Sequence, residues 1–293
     1  MAVTLSGDLL ARYPRFSLYN SPYPAHDEGR AVDLYPDDGA PSPVAGEVVE
    51  THTVRAPPKP YAPEHDHLVV VRVDQAATPG LASTRDDLLA RIMHVDPGVE
   101  AGDRVAVGDP LGSMVRAGFF APWVGNHLHV GFRTPDQNLL RASGSLPLAV
   151  DVPVEPLDWD GTGTVVETGE TYALLDSPAH PHPGDGFAGI AADSGGVLDG
   201  GLRHYDGGGL LGGSGGEHEV SLLGTPVGEA TGRTVDWHDV EILANDEQVT
   251  GLSLFLAQDD GFGAKVICPG HSFAVGESIS VAIGRTDEPV ILG

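Results

Sequence analysis

Leu68-Val69-Val70-Val71-Arg72-Val73 holds five apolar residues, four of them β-branched, around a single charge. Branched side chains lose freedom in a helix and pack well on a pleated surface, and a run of this length is strand-sized. Working outward, the same character returns at 43–50, 88–95, 104–107, 128–132, 163–175, 219–223, 235–243, 251–257 and 278–284. Glu219-Val220-Ser221-Leu222-Leu223 shows the period of two that marks a half-buried strand. Between these runs, 40 Gly and 24 Pro punctuate the chain and leave little room for long helices. Composition alone allows a two-turn helix over 86–93, but its place among the strands favours a strand. The expected class is all-β.

The 293 residues suit one large domain or two ordinary ones at ~150 residues each. A Pro-rich, acidic stretch at 146–163 marks the expected boundary, giving domains 1–155 and 156–293. The most Gly-rich part, 195–216, reads as loops joining short strands.

The charge is one-sided: 16 Lys+Arg against 42 Asp+Glu leave a net charge of -26. Lys59 and Lys265 are the only lysines, and the acids are spread along the chain rather than gathered in a tail. Such a surface stays soluble when salt screens it, so the composition reads as halophilic. A pI near 4.5 argues against a nucleic-acid partner, because phosphate contacts require Lys and Arg. No stretch approaches the ~18 apolar residues of a membrane span. Residues 1–20 show no basic start and no apolar core, so no export signal is read and a cytoplasmic location is the default expectation. The single cysteine, Cys268, excludes a disulfide framework and a multi-cysteine zinc cluster, and reads as a buried thiol beside a turn.

Of 13 histidines, the informative ones begin with His127-Leu128-His129. On a strand, residues i and i+2 share a face, so both imidazoles enter one pocket. Upstream stand His26 and Asp33, followed by the turn-rich Gly39-Ala-Pro-Ser-Pro-Val-Ala-Gly46. Between the two sites lie Met93-His94 and then Val99-Glu-Ala-Gly102-Asp103-Arg104-Val105-Ala-Val-Gly108.

This order resembles the lysostaphin-like zinc metallopeptidases, the peptidoglycan endopeptidases built on a duplicated hybrid β motif, over residues 25–133. The resemblance implies an N-terminal β-sandwich or barrel of that type, followed by a second β-rich domain. It implies one zinc ion held by His26, Asp33 and His129, with His94 and His127 as catalytic histidines and a peptide as substrate. The chemistry suits the residues: two imidazoles and a carboxylate leave a zinc coordination position open for water. One histidine can then accept a proton while the other steadies the oxyanion or protonates the leaving amine.

The chain departs from the family in one place. The family spaces its first pair as His-x3-Asp, which would put the histidine at Gly29, whereas six residues separate His26 from Asp33. The extra residues could bulge from the strand and return His26 to the metal, or the first ligand could be lost or supplied by a neighbour such as His65 or His67. Two other readings stand beside the peptidase. One is an inactive scaffold or binding module on the same fold. The other, ranked lower, is a phosphocarrier-like domain using two facing histidines. His65-Asp66-His67 reads as the edge of a loop, and His180, His182, His204, His218 and His238 as exposed or hydrogen-bonded histidines among turns. Trp159 and Trp237 are expected in the C-terminal core.

Overall fold

The structure is a computed structural model that describes residues 2–213 and 215–292. Among the described residues the regular structure is β apart from two four-residue helices, Gly7–Leu10 and Pro24–Asp27, and a 3-10 turn, Gln75–Ala77. The expectation of an all-β chain with a two-domain layout therefore holds. One unit comprises Met1–Phe16 and Gly29–Val152, the other Ser17–Glu28 and Pro153–Gly293. The main break lies inside the Pro-rich stretch at 146–163, whereas the early excursion Ser17–Glu28 carries no sequence mark.

In the N-terminal unit we number the strands that carry the site: β1 Ala31–Tyr35, β2 Gly46–Arg55, β3 His65–Val73, β4 Leu89–Met93, β5 Val95–Pro97, β6 Arg104–Val105, β7 Gly112–Met114 and β8 Leu128–Arg133. They form an antiparallel array in the order β1-β8-β4-β3-β2-β6, and β5 pairs separately with β7. Within 86–93 the chain is therefore not helical, with the strand itself covering Leu89–Met93. The reason lies in packing: Leu89 to Ile92 are all buried, as a strand covered on both faces requires and a two-turn amphipathic helix would not. Val69, Val70 and Val71, at the centre of β3, are fully buried, each worth ~1.5–3 kcal/mol of transfer free energy. Gly102 and Gly108 turn the chain on either side of β6 with φ of 99° and 91°, a region glycine enters without a Cβ clash.

The C-terminal unit contains a twelve-stranded antiparallel sheet. The stretch 163–175, expected as one strand, is a hairpin of Thr162–Thr168 and Tyr172–Leu175, with the Gly169 N–H donating to the Tyr172 carbonyl at 2.9 Å. The Gly-rich segment carries short strands joined by a turn: Val197–Leu202 and Gly207–Leu211 pair antiparallel within it. Ser214 of that segment lies outside the described residues. The glycines there serve packing: a Cβ on Gly208 would run into the Trp237 indole, and one on Gly209 into the Tyr19 ring. Trp159 and Trp237 belong to the core of this unit, as expected.

Candidate metal centre

Asp33 lies at the middle of β1 and His129 near the start of β8, directly opposite one another in the antiparallel register. Opposed residues share a face, and His129 Nδ1 lies 3.0 Å from Asp33 Oδ1. The alternation that puts His127 on the same face also holds: its Nε2 lies 3.4 Å from Asp33 Oδ2. The His127 Nδ1–H donates to the Gly125 carbonyl at 3.0 Å, which places the lone pair on Nε2. Tyr35, two residues beyond Asp33 on β1, stands on this face as well, with its ring centroid 5.0 Å from that of His127.

His94 reaches the site by a different device. The next residue after Met93 in a regular strand would point to the opposite face. His94 instead adopts φ of 72°, ending β4 and breaking the alternation. Its ring centroid stands 5.2 Å from that of His127 and 5.9 Å from that of His129. A left-handed backbone at a non-glycine residue costs on the order of 1–3 kcal/mol. Both backbone groups are held: the His94 N–H donates to the His67 carbonyl at 3.1 Å, and the Val115 N–H donates to the His94 carbonyl at 2.8 Å.

The residue that sequence reading missed is Asp66. It lies within β3, which starts at His65 rather than after a loop, and it is fully buried. Its Oδ2 accepts from His94 Nδ1 at 2.6 Å and its Oδ1 from the His67 N–H at 2.7 Å. A signal was present: Asp66, Leu68 and Val70 are two apart, so the carboxylate is in phase with apolar residues of the covered face.

His26 sits in the Pro24–Asp27 helical turn, with Pro24 at a favourable first position. The turn runs out through Glu28 into Gly29 at φ 56°, and β1 starts at Ala31. The long spacing to Asp33 is thus a helical turn and not the expected strand bulge. The buried His26 ring donates from Nδ1 to the Leu18 carbonyl at 2.7 Å, leaving the lone pair on Nε2. Among the described residues, one ligand atom each from His26, Asp33 and His129 lies within 4.8 Å of the other two. His65 and His67 are not in that group: His65 is exposed, and His67 lies beside Thr53 and Asp96.

Two imidazole nitrogens and a carboxylate oxygen form a donor set suited to zinc, whose tetrahedral ligands stand about 3.4 Å apart at ~2.1 Å bonds. The residues therefore fit the ion that the resemblance implies.

Above the histidines, the segment after β7 is held by Arg116. Its guanidinium donates to the carbonyls of Ala121 at 3.0 Å, Pro122 at 3.1 Å and Val124. It also lies 5.3 Å over the rings of both Tyr61 and Phe120. Phe120 packs against His127 at 4.3 Å and edge-on to His94 at 4.5 Å between centroids. Trp123, in the same segment, is buried.

Elsewhere, Cys268 is buried and its thiol is pushed up to about 11, as an inert core thiol should be. His204, expected among turns as exposed or hydrogen-bonded, is fully buried, and burial pushes its imidazole down to about 3.

Fold and centre together define a two-domain all-β protein with a buried His/Asp cluster able to hold a metal ion. The chain belongs to the family described as Domain of unknown function (DUF8155): the N-terminal domain of that family matches residues 4–150 and the C-terminal domain residues 155–284. No curated protein matches the chain.

Proposed function

We propose that the protein is a zinc-dependent metalloendopeptidase of the lysostaphin type, hydrolysing short peptides in its N-terminal domain. The observation that carries this reading is the convergence of three histidines and two buried carboxylates on one sheet face: Asp33 between His129 and His127, with His94 and Asp66 beside them. A purely structural pair would need one partner each, and this cluster holds more imidazole than packing demands.

His26, Asp33 and His129 are the residues that would hold zinc. When bound, the ion supplies Lewis acidity to a scissile carbonyl and makes water at the site more acidic. Hydrolysis joins the water oxygen to the carbonyl carbon, breaks the C–N bond and leaves a proton to be carried to the amine. His127 presents Nε2 on the Asp33 side of the cluster and accepts the proton of the attacking water. His94, anchored through Nδ1, presents its other nitrogen to the oxyanion or to the leaving amine. Phe120 covers both imidazoles with an apolar ring and limits access of bulk water to them.

The test is metal content and hydrolysis of Gly- or Ala-rich peptides by the whole chain purified in high salt. The expected result is one zinc per chain with turnover. His129→Ala should lose metal and turnover together, and His127→Ala turnover alone. A wild-type chain that takes up no zinc overturns the reading, and one that takes up zinc without cleaving any peptide reduces it to a metal-binding module.

A further inference from the structure

We infer that Asp66 is the positioning residue for His94 in the hydrolysis proposed above, an inference that rests on that reading. Three observations meet at this pair. Asp66 is fully buried on the face that carries His127 and His129, and its Oδ2 takes the His94 Nδ1–H at 2.6 Å. Its other oxygen accepts the His67 N–H, so the buried carboxylate cannot rotate without losing a hydrogen bond. The His94 backbone is left-handed and is fastened to the same strand through the His67 carbonyl. Residues 66 and 67 thus fix the ring of His94 at Nδ1 and its main chain at the N–H.

The chemical consequence is a defined tautomer. With the proton kept on Nδ1, Nε2 is the nitrogen presented toward His127 and the reacting groups. Without the carboxylate, the ring is at liberty to rotate about χ1 and to carry its proton on the wrong nitrogen. An Asp oriented in this way behind an imidazole is worth orders of magnitude in rate where the histidine transfers protons. A pair serving packing alone would leave the rate untouched once the protein is folded.

The experiment compares wild type, Asp66→Asn, His94→Ala and the double variant, each checked for zinc content and folding in high salt. Asp66→Asn should keep its zinc, keep KM within about 3-fold and lose kcat by about 100-fold or more. In the His94→Ala background the same substitution should cost nothing further, because Asp66 acts through that ring. Proton–nitrogen NMR of the histidines should show His94 protonated on Nδ1 in the wild type and moved to Nε2 in Asp66→Asn. Wild-type kcat in a folded Asp66→Asn, or an equal loss with and without the His94 imidazole, overturns the inference. Should the wild type bind zinc and cleave no peptide, the peptidase reading has failed by itself. The NMR comparison then decides the pair alone, and an Nε2-protonated His94 in the wild type rejects it.

Discussion

Asp33 and His129 face one another across adjacent antiparallel strands, and His129 Nδ1 lies 3.0 Å from Asp33 Oδ1. This contact joins two residues 96 positions apart without any loop contributing to it. Both side chains are set by the pleat, so their separation is as well fixed as the strand pairing itself.

Asp33→Asn preserves shape and removes the anionic ligand. The expected outcome is a loss of zinc affinity greater than the ~10–100-fold that losing a ligand's hydrogen-bond partner costs. Titration against a chromophoric chelator in high salt measures it. Unchanged affinity would remove Asp33 from the ligand set.

Arg116→Lys tests the clamp over the histidines. A lysine ammonium is a point donor and cannot serve the Ala121, Pro122 and Val124 carbonyls together. Losing one or two charge-assisted bonds, about 2 kcal/mol, corresponds to roughly 30-fold faster amide exchange in residues 117–125. Exchange followed by mass spectrometry checks this, and unaltered protection in that segment would show that the clamp contributes nothing.

Gly208→Ala addresses the glycine-rich strands. The new Cβ meets the Trp237 indole, so the ring or the strand must shift. A loss of about 1–3 kcal/mol is expected, read as a lower urea midpoint with an unchanged slope. A neutral substitution would mean that the indole moves aside at no cost.

Asp199 gives a pH prediction for the C-terminal unit. It is fully buried, and burial raises its carboxyl to about 7 against hydrogen bonds from Ser17 and the Leu18 N–H. Below about pH 4 both folded and unfolded chains hold the proton, and this group adds no slope. Between about pH 4 and 7 the unfolded chain releases it while the folded one keeps it, so stability falls by about 1.4 kcal/mol per pH unit and then levels off. Asp199→Asn should remove that component. Unfolding free energies of the two proteins across this range, at fixed salt, should diverge with that slope, and parallel curves would refute the assignment.

Much of the centre was legible because strand geometry is legible. His127 and His129 had to share a face, and the order of Asp33, His94 and His127 along the chain brought them onto neighbouring strands. The helical turn at His26 was not readable from spacing, since Pro24 signals a turn without saying whether it coils or bulges. Asp66 was passed over because an acid between two histidines looks solvated. Only its phase with Leu68 and Val70 betrays burial, and a charged residue in phase with a core row is a pattern that average composition discourages. The segment 195–216 was read as loops joining short strands, but where the strands Val197–Leu202 and Gly207–Leu211 fall was not legible, because glycine punctuates most chains. Here it makes room for Trp237 and Tyr19, which depends on partners far away in sequence.

The left-handed turn at His94 also offers a way to sort relatives. Glycine, asparagine and aspartate enter that backbone region as readily as histidine or more so. A lineage that no longer used the imidazole could exchange it for one of them and keep the bend, relieving strain as it did so. If the proposed hydrolysis holds, residue identity at this one position, read alongside position 66, separates members of the family equipped for it from those that keep only the architecture.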